Sequence, residues 1–248
     1  MTYVIESRKL MTLIFYFPCK DGCVLISDRM ETNDAGVGTG ANKIYLSRNR
    51  EFAIGGVGDS KLIERLFAEI HSDGTVNGTN VVEKFEEKIQ NLSADDLKYF
   101  SSPEDLEYRN AQFIIVVWQK EGARVTYVSV VKGKHFSEGM NEDYHQVKGE
   151  GDDWANYFFK NKAYQNYSLK EAIAYGVAIM QEVADNHRGV GRLEQFGFSI
   201  VAYSKDNIFY YTDYRTPSPR ITIDFQANEF DMAGFKVEKL EQEAAQNG

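Results

Sequence analysis

The segment TLIFYFPCKDGCVLISDRMET, residues 12–32, decides how this chain folds. Leu13–Cys19 is apolar and rich in aromatic and β-branched residues, and Cys23–Ser27 repeats that character. Between them, Lys20-Asp21-Gly22 is a turn sequence whose glycine offers the φ > 0 conformation of a tight hairpin. Two antiparallel strands follow. With the turn centred on Asp21, the numbers of facing residues sum to about 42, which sets Thr12 opposite Met30 to within the one residue of a bulge. Asp28 is then the diagonal, same-face neighbour of Thr12 at the open end of the hairpin.

Outward from this hairpin, Gly36, Gly38 and Gly40 punctuate Asp34–Asn42, and two short strands, Lys43–Ser47 and Phe52–Gly56, come next. Leu62, Ile63, Leu66, Phe67 and Ile70 recur at helical spacing and predict a helix over Ser60–His71, with a second over Val81–Leu92. A polar stretch containing Pro103 precedes a second hairpin, Ala111–Gln119 with Arg124–Lys132. Helices return at Asp152–Phe159 and Ser168–Asp185, the latter opening with the capping-box spacing Ser168-x-x-Glu171. Strands Gly197–Tyr203 and Asn207–Thr212 complete the pattern. Hairpins in place of βαβ alternation imply an α+β fold. Two antiparallel sheets packed face to face between helix layers, a four-layer αββα sandwich, would bury every apolar face.

Bulk properties narrow the function. The chain has 248 residues, 43% hydrophobic, and a net charge of −9 from 28 basic and 37 acidic residues. That balance opposes nucleic acid and anionic membranes, whose binding needs clustered positive charge. Arg8-Lys9 and Leu10–Phe17 imitate the start of a signal peptide, but no small-residue cleavage site follows and the run is too short to span a bilayer. A cytoplasmic protein is expected. Cys19 and Cys23 lack partners for a metal site and read as reduced thiols. The four histidines have no ligand spacing, so neither metal nor cofactor is expected. Gly36–Gly40 lacks the Gly-Lys-Ser/Thr ending of a phosphate loop.

One ordered set of motifs is more specific. Met11-Thr12, Lys20-Asp21-Gly22-Cys23-Val24-Leu25-Ile26-Ser27-Asp28-Arg29-x-x-Thr32, Lys43-Ile44-Tyr45 and Gly55-Gly56-Val57-Gly58-Asp59 together resemble the opening of proteasome β subunits and their bacterial HslV-type and Anbu-type relatives, which are N-terminal-nucleophile hydrolases. Weaker likeness continues through Gly149-Glu150-Gly151, the Ser168–Asp185 helix and Gly197–Tyr203. The resemblance implies that Thr12 is the nucleophile, with its own freed α-amine as base, since an α-amine titrates near 7.7–8.0. It implies that Lys43 stabilises the threonine alkoxide and Asp28 orients Lys43. The Gly55 amide would serve as oxyanion donor and Asp185 would bind near the amine. Thr32 and Ala53 would line the substrate cleft, Ala53 leaving a roomy first pocket. Lys43 and Asp28 are expected to be removable with little loss of fold.

Further implications are an extension or propeptide over 1–11, a hydrolase domain over 12–235 and a charged tail over 236–248. Peptide or unfolded protein is the implied substrate, cleaved inside a homo-oligomeric ring with an ATP-dependent unfoldase as partner. The chain departs from the family at Glu150 and Arg188, where serines are usual, and at Met11, where glycine precedes the cut. Two other readings stay open: a non-catalytic ring subunit with Thr12 blocked by the extension, and a transpeptidase passing the acyl group to an amine.

Overall fold

A computed structural model describes residues 12–32, 38–92, 110–119, 122–131, 134–160, 162–192, 195, 197–204, 208–213, 222–224 and 229–231. The extension 1–11, residues 34–37 of the glycine-rich segment, the stretch around Pro103 and the tail 236–248 lie outside them.

The first hairpin is present as β1 (Leu13–Cys19) and β2 (Gly22–Asp28), but one residue tighter than expected. Cys19 faces Gly22 and Ile14 faces Ser27, so Lys20 and Asp21 alone make the turn. A one-residue slip moves every cross-strand partner. Asp28 consequently comes opposite Leu13, and is not diagonal to Thr12. Gly22 does not take a positive φ either. It is glycine for a different reason: a Cβ there would overlap the Tyr203 carbonyl on the neighbouring strand.

That strand, β11 (Phe198–Ser204), joins β2 in a five-stranded antiparallel sheet of order β10-β1-β2-β11-β12, with β10 at Gln146–Gly149 and β12 at Ile208–Asp213. A second antiparallel sheet has order β5-β6-β7-β8-β9, from Ile44–Leu46, Phe52–Gly58, Asn110–Gln119, Gly122–Val131 and Lys134–Met140. Two small pairs accompany them: β3 (Met30–Thr32) with β4 (Gly38–Gly40), and β13 (Thr222–Asp224) with β14 (Glu229–Asp231). The sequence reading missed β9 and β10. Both are sheet edges, and β10 buries only Val147 of its four residues, so neither carries a strong apolar period.

Helix α1 (Ser60–Ser72) begins where the Asp59 carboxylate accepts from the Leu62 amide at 2.9 Å, so the Asp of the Gly-Asp motif is an N-cap. Helix α2 spans Val81–Gln90 and α3 spans Asp152–Lys160. Helix α4 (Leu169–Asn186) has the expected capping box, Ser168 with Glu171. Leu62, Ile63, Leu66, Phe85 and Ile89 pack with Phe52, Ile54 and Phe113 on one face of the second sheet. Phe15, Phe17, Phe159, Tyr175 and Ile179 pack α3 and α4 onto the first sheet. Ile14, Tyr16, Leu25 and Val201 from the first sheet meet Ile44, Ala53, Ile114 and Val116 from the second in a third apolar cluster. Among the described residues, no helix is long and apolar enough to cross a membrane.

Helix α4 is buried continuously from Ala172 to Met180, so its distance from β1 is set by side-chain volume. Gly176 is the contact point: a Cβ there would stand 3.1 Å from Phe17 Cε1 and 3.6 Å from Phe15 Cε2. Gly176→Leu should therefore cost about 1–3 kcal/mol by overpacking, although leucine is the better helix former. Urea denaturation would read the loss; an unchanged midpoint would mean that the helix approaches β1 for some other reason.

Candidate active site

Thr12 precedes β1 and is buried, at 2% exposure. Its backbone is held from the side by the turn that follows β10: the Glu150 amide donates to the Thr12 carbonyl at 2.8 Å. Gly149 makes this approach feasible. Its φ is +114°, and a Cβ there would overlap the Thr12 carbonyl oxygen.

Asp28 ends β2 with no solvent exposure, and a carboxylate so buried needs compensation. It receives three backbone amides. Leu13 N donates to Oδ1 at 2.9 Å, while Met30 N and Gly191 N donate to Oδ2 at 3.1 and 3.0 Å. Burial still raises the Asp28 pKa above the ordinary carboxylate value, against the lowering pull of Lys43 and the three amides.

Lys43 comes just before β5, its carbonyl accepting from the Gly56 amide at 2.9 Å, and its side chain is buried at 6% exposure. Lys43 Nζ donates to both the Thr12 hydroxyl and the Met30 carbonyl, and lies 3.9 Å from Asp28 Oδ1. An ammonium donating to a hydroxyl favours the alkoxide form of that hydroxyl, which is the electrostatic assistance a nucleophilic threonine needs. Thr12, Lys43 and Asp28 thus come together from three separate segments.

The other expected site residues are placed differently. Gly55 lies in β6, facing Ile44 on one side and Ile114 on the other. Gly56 N donates towards β5 and the Glu51 carbonyl accepts from Trp118 N on β7 at 2.8 Å, so strand alternation sends the Gly55 amide to Ile114, into the ladder and away from an oxyanion role. Gly55 instead serves by lacking a Cβ, which would overlap the Ile14 side chain. Ala53 is fully buried between the sheets. Asp185 is exposed on the last turn of α4 and does not join the Thr12 cluster. Thr32 is the last residue of β3, opposite Gly38.

Sequence reasoning missed the Met30 carbonyl and the amides of Leu13, Glu150 and Gly191. Backbone groups carry no residue-type signal. Gly149 and Gly191 were the available hints, because each is glycine where another chain segment presses close.

No protein-family model matches the chain, and no curated protein matches it. Solved structures do. The chain is similar to Anbu (ancestral beta-subunit) from Yersinia bercovieri, with a TM-score of 0.58 and 12% identity over 77% of this chain and 81% of that one. It is also similar to Anbu from Hyphomicrobium sp. strain MC1, at 0.58 and 13% identity, and to a Gly-1 mutant of that protein, at 0.60 and 13% identity. Each of these two covers 81% of this chain and 86% of the other. The fold is therefore of the Anbu kind.

The expectation that Lys43 and Asp28 could be removed at little cost does not survive this geometry. Lys43→Met leaves Asp28 buried without its countercharge, and at neutral pH it should lose about 3–5 kcal/mol. Without Lys43 the folded-state pKa of Asp28 rises further above its unfolded value. The deficit should consequently shrink towards low pH, where Asp28 is protonated in both states, and grow as pH rises through the folded pKa. Urea denaturation across pH 4–8 would measure this; a deficit independent of pH would mean that Lys43 does not compensate Asp28.

Proposed function

We propose that this chain is a proteasome-like threonine peptidase that cleaves peptide bonds through Thr12. One observation carries the reading: a buried lysine ammonium donates to the hydroxyl of a buried threonine and is itself flanked by a buried carboxylate. The Anbu-like fold supports the same family. The three apolar clusters, one outside each sheet and one drawing on both sheets, support a four-layer αββα arrangement within one domain over 12–235.

In this mechanism Thr12 Oγ attacks the carbonyl carbon of the substrate peptide and passes its proton to the freed Thr12 α-amine, directly or through a water. The tetrahedral intermediate collapses, the C–N bond breaks, and the departing amine takes that proton. An ester to Thr12 remains. Water then attacks the ester, the α-amine accepts and returns a proton, and a carboxylic acid leaves. Lys43 lowers the cost of the alkoxide in both halves, and Asp28 keeps Lys43 charged and oriented. The α-amine exists only once residues 1–11 are gone, because an amide nitrogen has no basic lone pair.

We further propose a homo-oligomeric ring in the cytoplasm, fed with unfolded protein by an ATP-dependent partner. Phe136, Tyr144, Trp154 and Tyr157 are large and exposed, which suits contacts between subunits. A second reading, a non-catalytic ring subunit, draws on the Gly55 amide: spent in the ladder, it leaves the oxyanion without its expected donor.

Two measurements separate these readings. Intact-mass analysis reports whether the purified chain begins at Thr12, and fluorogenic peptide turnover is then compared between that form, its Thr12→Ala variant and the full-length chain. The peptidase reading expects turnover only from the form with a free Thr12, and a fall of at least 10³-fold in Thr12→Ala. Equal turnover by chain that retains Met1 would overturn it.

A further inference from the structure

Among the contacts that fix Asp28, one comes from far along the chain. Gly191 N donates to Asp28 Oδ2 at 3.0 Å, across 163 residues. Gly191 ends the short turn after α4. The turn is tied down by His187 N to the Val183 carbonyl and by Val190 N to the His187 carbonyl, at 2.8 and 3.1 Å, and by Val190 packing into the cluster beneath α4. Gly191 thus arrives at Asp28 from a hydrogen-bonded and packed base.

The absence of a side chain at Gly191 is steric in origin. Its φ is not positive, so another residue could adopt the backbone conformation. A Cβ there, however, would overlap Met30 Cβ, and would stand 3.0 Å from Met30 N and 3.2 Å from Asp28 Oδ2. Gly189 in the same turn is also pressed close: its Cβ would lie 2.8 Å from Glu150 Cγ, the residue whose amide holds the Thr12 carbonyl. The turn therefore touches both supports of the Thr12 site.

We propose that Gly191 is a positioning residue for Thr12: its amide fixes one oxygen of Asp28, and its missing side chain lets the turn close on Met30, whose carbonyl holds Lys43. Gly191 acts through Asp28 and Met30 and does not touch the reacting atoms. The proposal rests on the reading of Thr12 as nucleophile for its catalytic consequence, but not for its structural one.

The test is Gly191→Ala in protein beginning at Thr12, with Met30→Gly and the double variant alongside. Stability across pH comes first, since it needs no turnover. The added Cβ displaces the Gly191 amide from the ionised carboxylate and so raises the Asp28 pKa; beyond a steric loss that is the same at every pH, the destabilisation should grow as pH rises through that pKa and shrink to the steric remainder below it. The groups facing Asp28 in this reading are Lys43 and the amides of Leu13, Met30 and Gly191. A pH-independent loss would mean steric damage alone and would overturn the proposal.

Turnover is the second readout. Gly191→Ala should lower kcat about 10- to 100-fold with KM within about twofold, the scale of losing one hydrogen bond to a charged group. Adding Met30→Gly removes the overlapping Cβ and should recover most of that loss, relative to Met30→Gly alone. If the single variant does not fold, the double variant decides: folded but still slowed as far as the predicted single loss, it overturns the proposal. Wild-type kcat in Gly191→Ala overturns it too. Turnover that persists in Thr12→Ala instead removes the peptidase reading and leaves the pH-dependent stability result standing by itself.

Discussion

The whole site depends on one constraint: a carboxylate with no contact to solvent must be compensated from inside the protein. Asp28 meets it with three backbone amides and one lysine. Those partners come from β1, from the backbone just after β2, from the turn after α4 and from the segment leading into β5. Each is brought in by a different tertiary connection, so the geometry at Thr12 is a property of the assembled fold and of no local motif. The lysine that compensates Asp28 is the same one that donates to the Thr12 hydroxyl. The stability of the fold and the charge beside the Thr12 hydroxyl are therefore joined at one pair of charges.

That joining shapes the electrostatics. Burial pulls Asp28 towards the neutral acid, and Lys43 with the amides pulls it back. An ion pair in this setting contributes little net stability compared with apolar residues of the same size, while breaking it is expensive. A structural core would have no need of such an arrangement. Its presence beside a hydroxyl is the physical reason for favouring chemistry over scaffolding. The Gly55 amide points the other way, because a strand amide already used by its neighbour is not free to meet an oxyanion.

Much of this was legible in the sequence. The two hairpins, four helices and the capping box at Ser168 follow from apolar period and turn chemistry, whereas the meeting of Thr12, Asp28 and Lys43 was implied by the resemblance to proteasome β subunits and not by the hairpin register, which was off by one residue. The register was missed by one residue because a turn sequence with glycine does not reveal whether the glycine lies inside the turn, and here Gly22 is glycine for the sake of Tyr203. The edge strands β9 and β10 were missed because an edge buries little. Asp185 was expected at the site through likeness of position alone, and it lies exposed at the end of α4, away from the Thr12 cluster as the described residues form it. Gly191 was missed because its amide carries no residue-type signal, and its being glycine was the one hint the sequence held.

The central claim is that Thr12 Oγ, assisted by Lys43, is the nucleophile. The most direct measurement treats protein beginning at Thr12 with a threonine-directed β-lactone, digests it and locates the acyl group by fragment mass. The account predicts a single adduct, on the Thr12 side chain, lost in Lys43→Met protein shown to be folded at the pH used. An adduct on any other residue, or an undiminished adduct at Thr12 without Lys43, would contradict it.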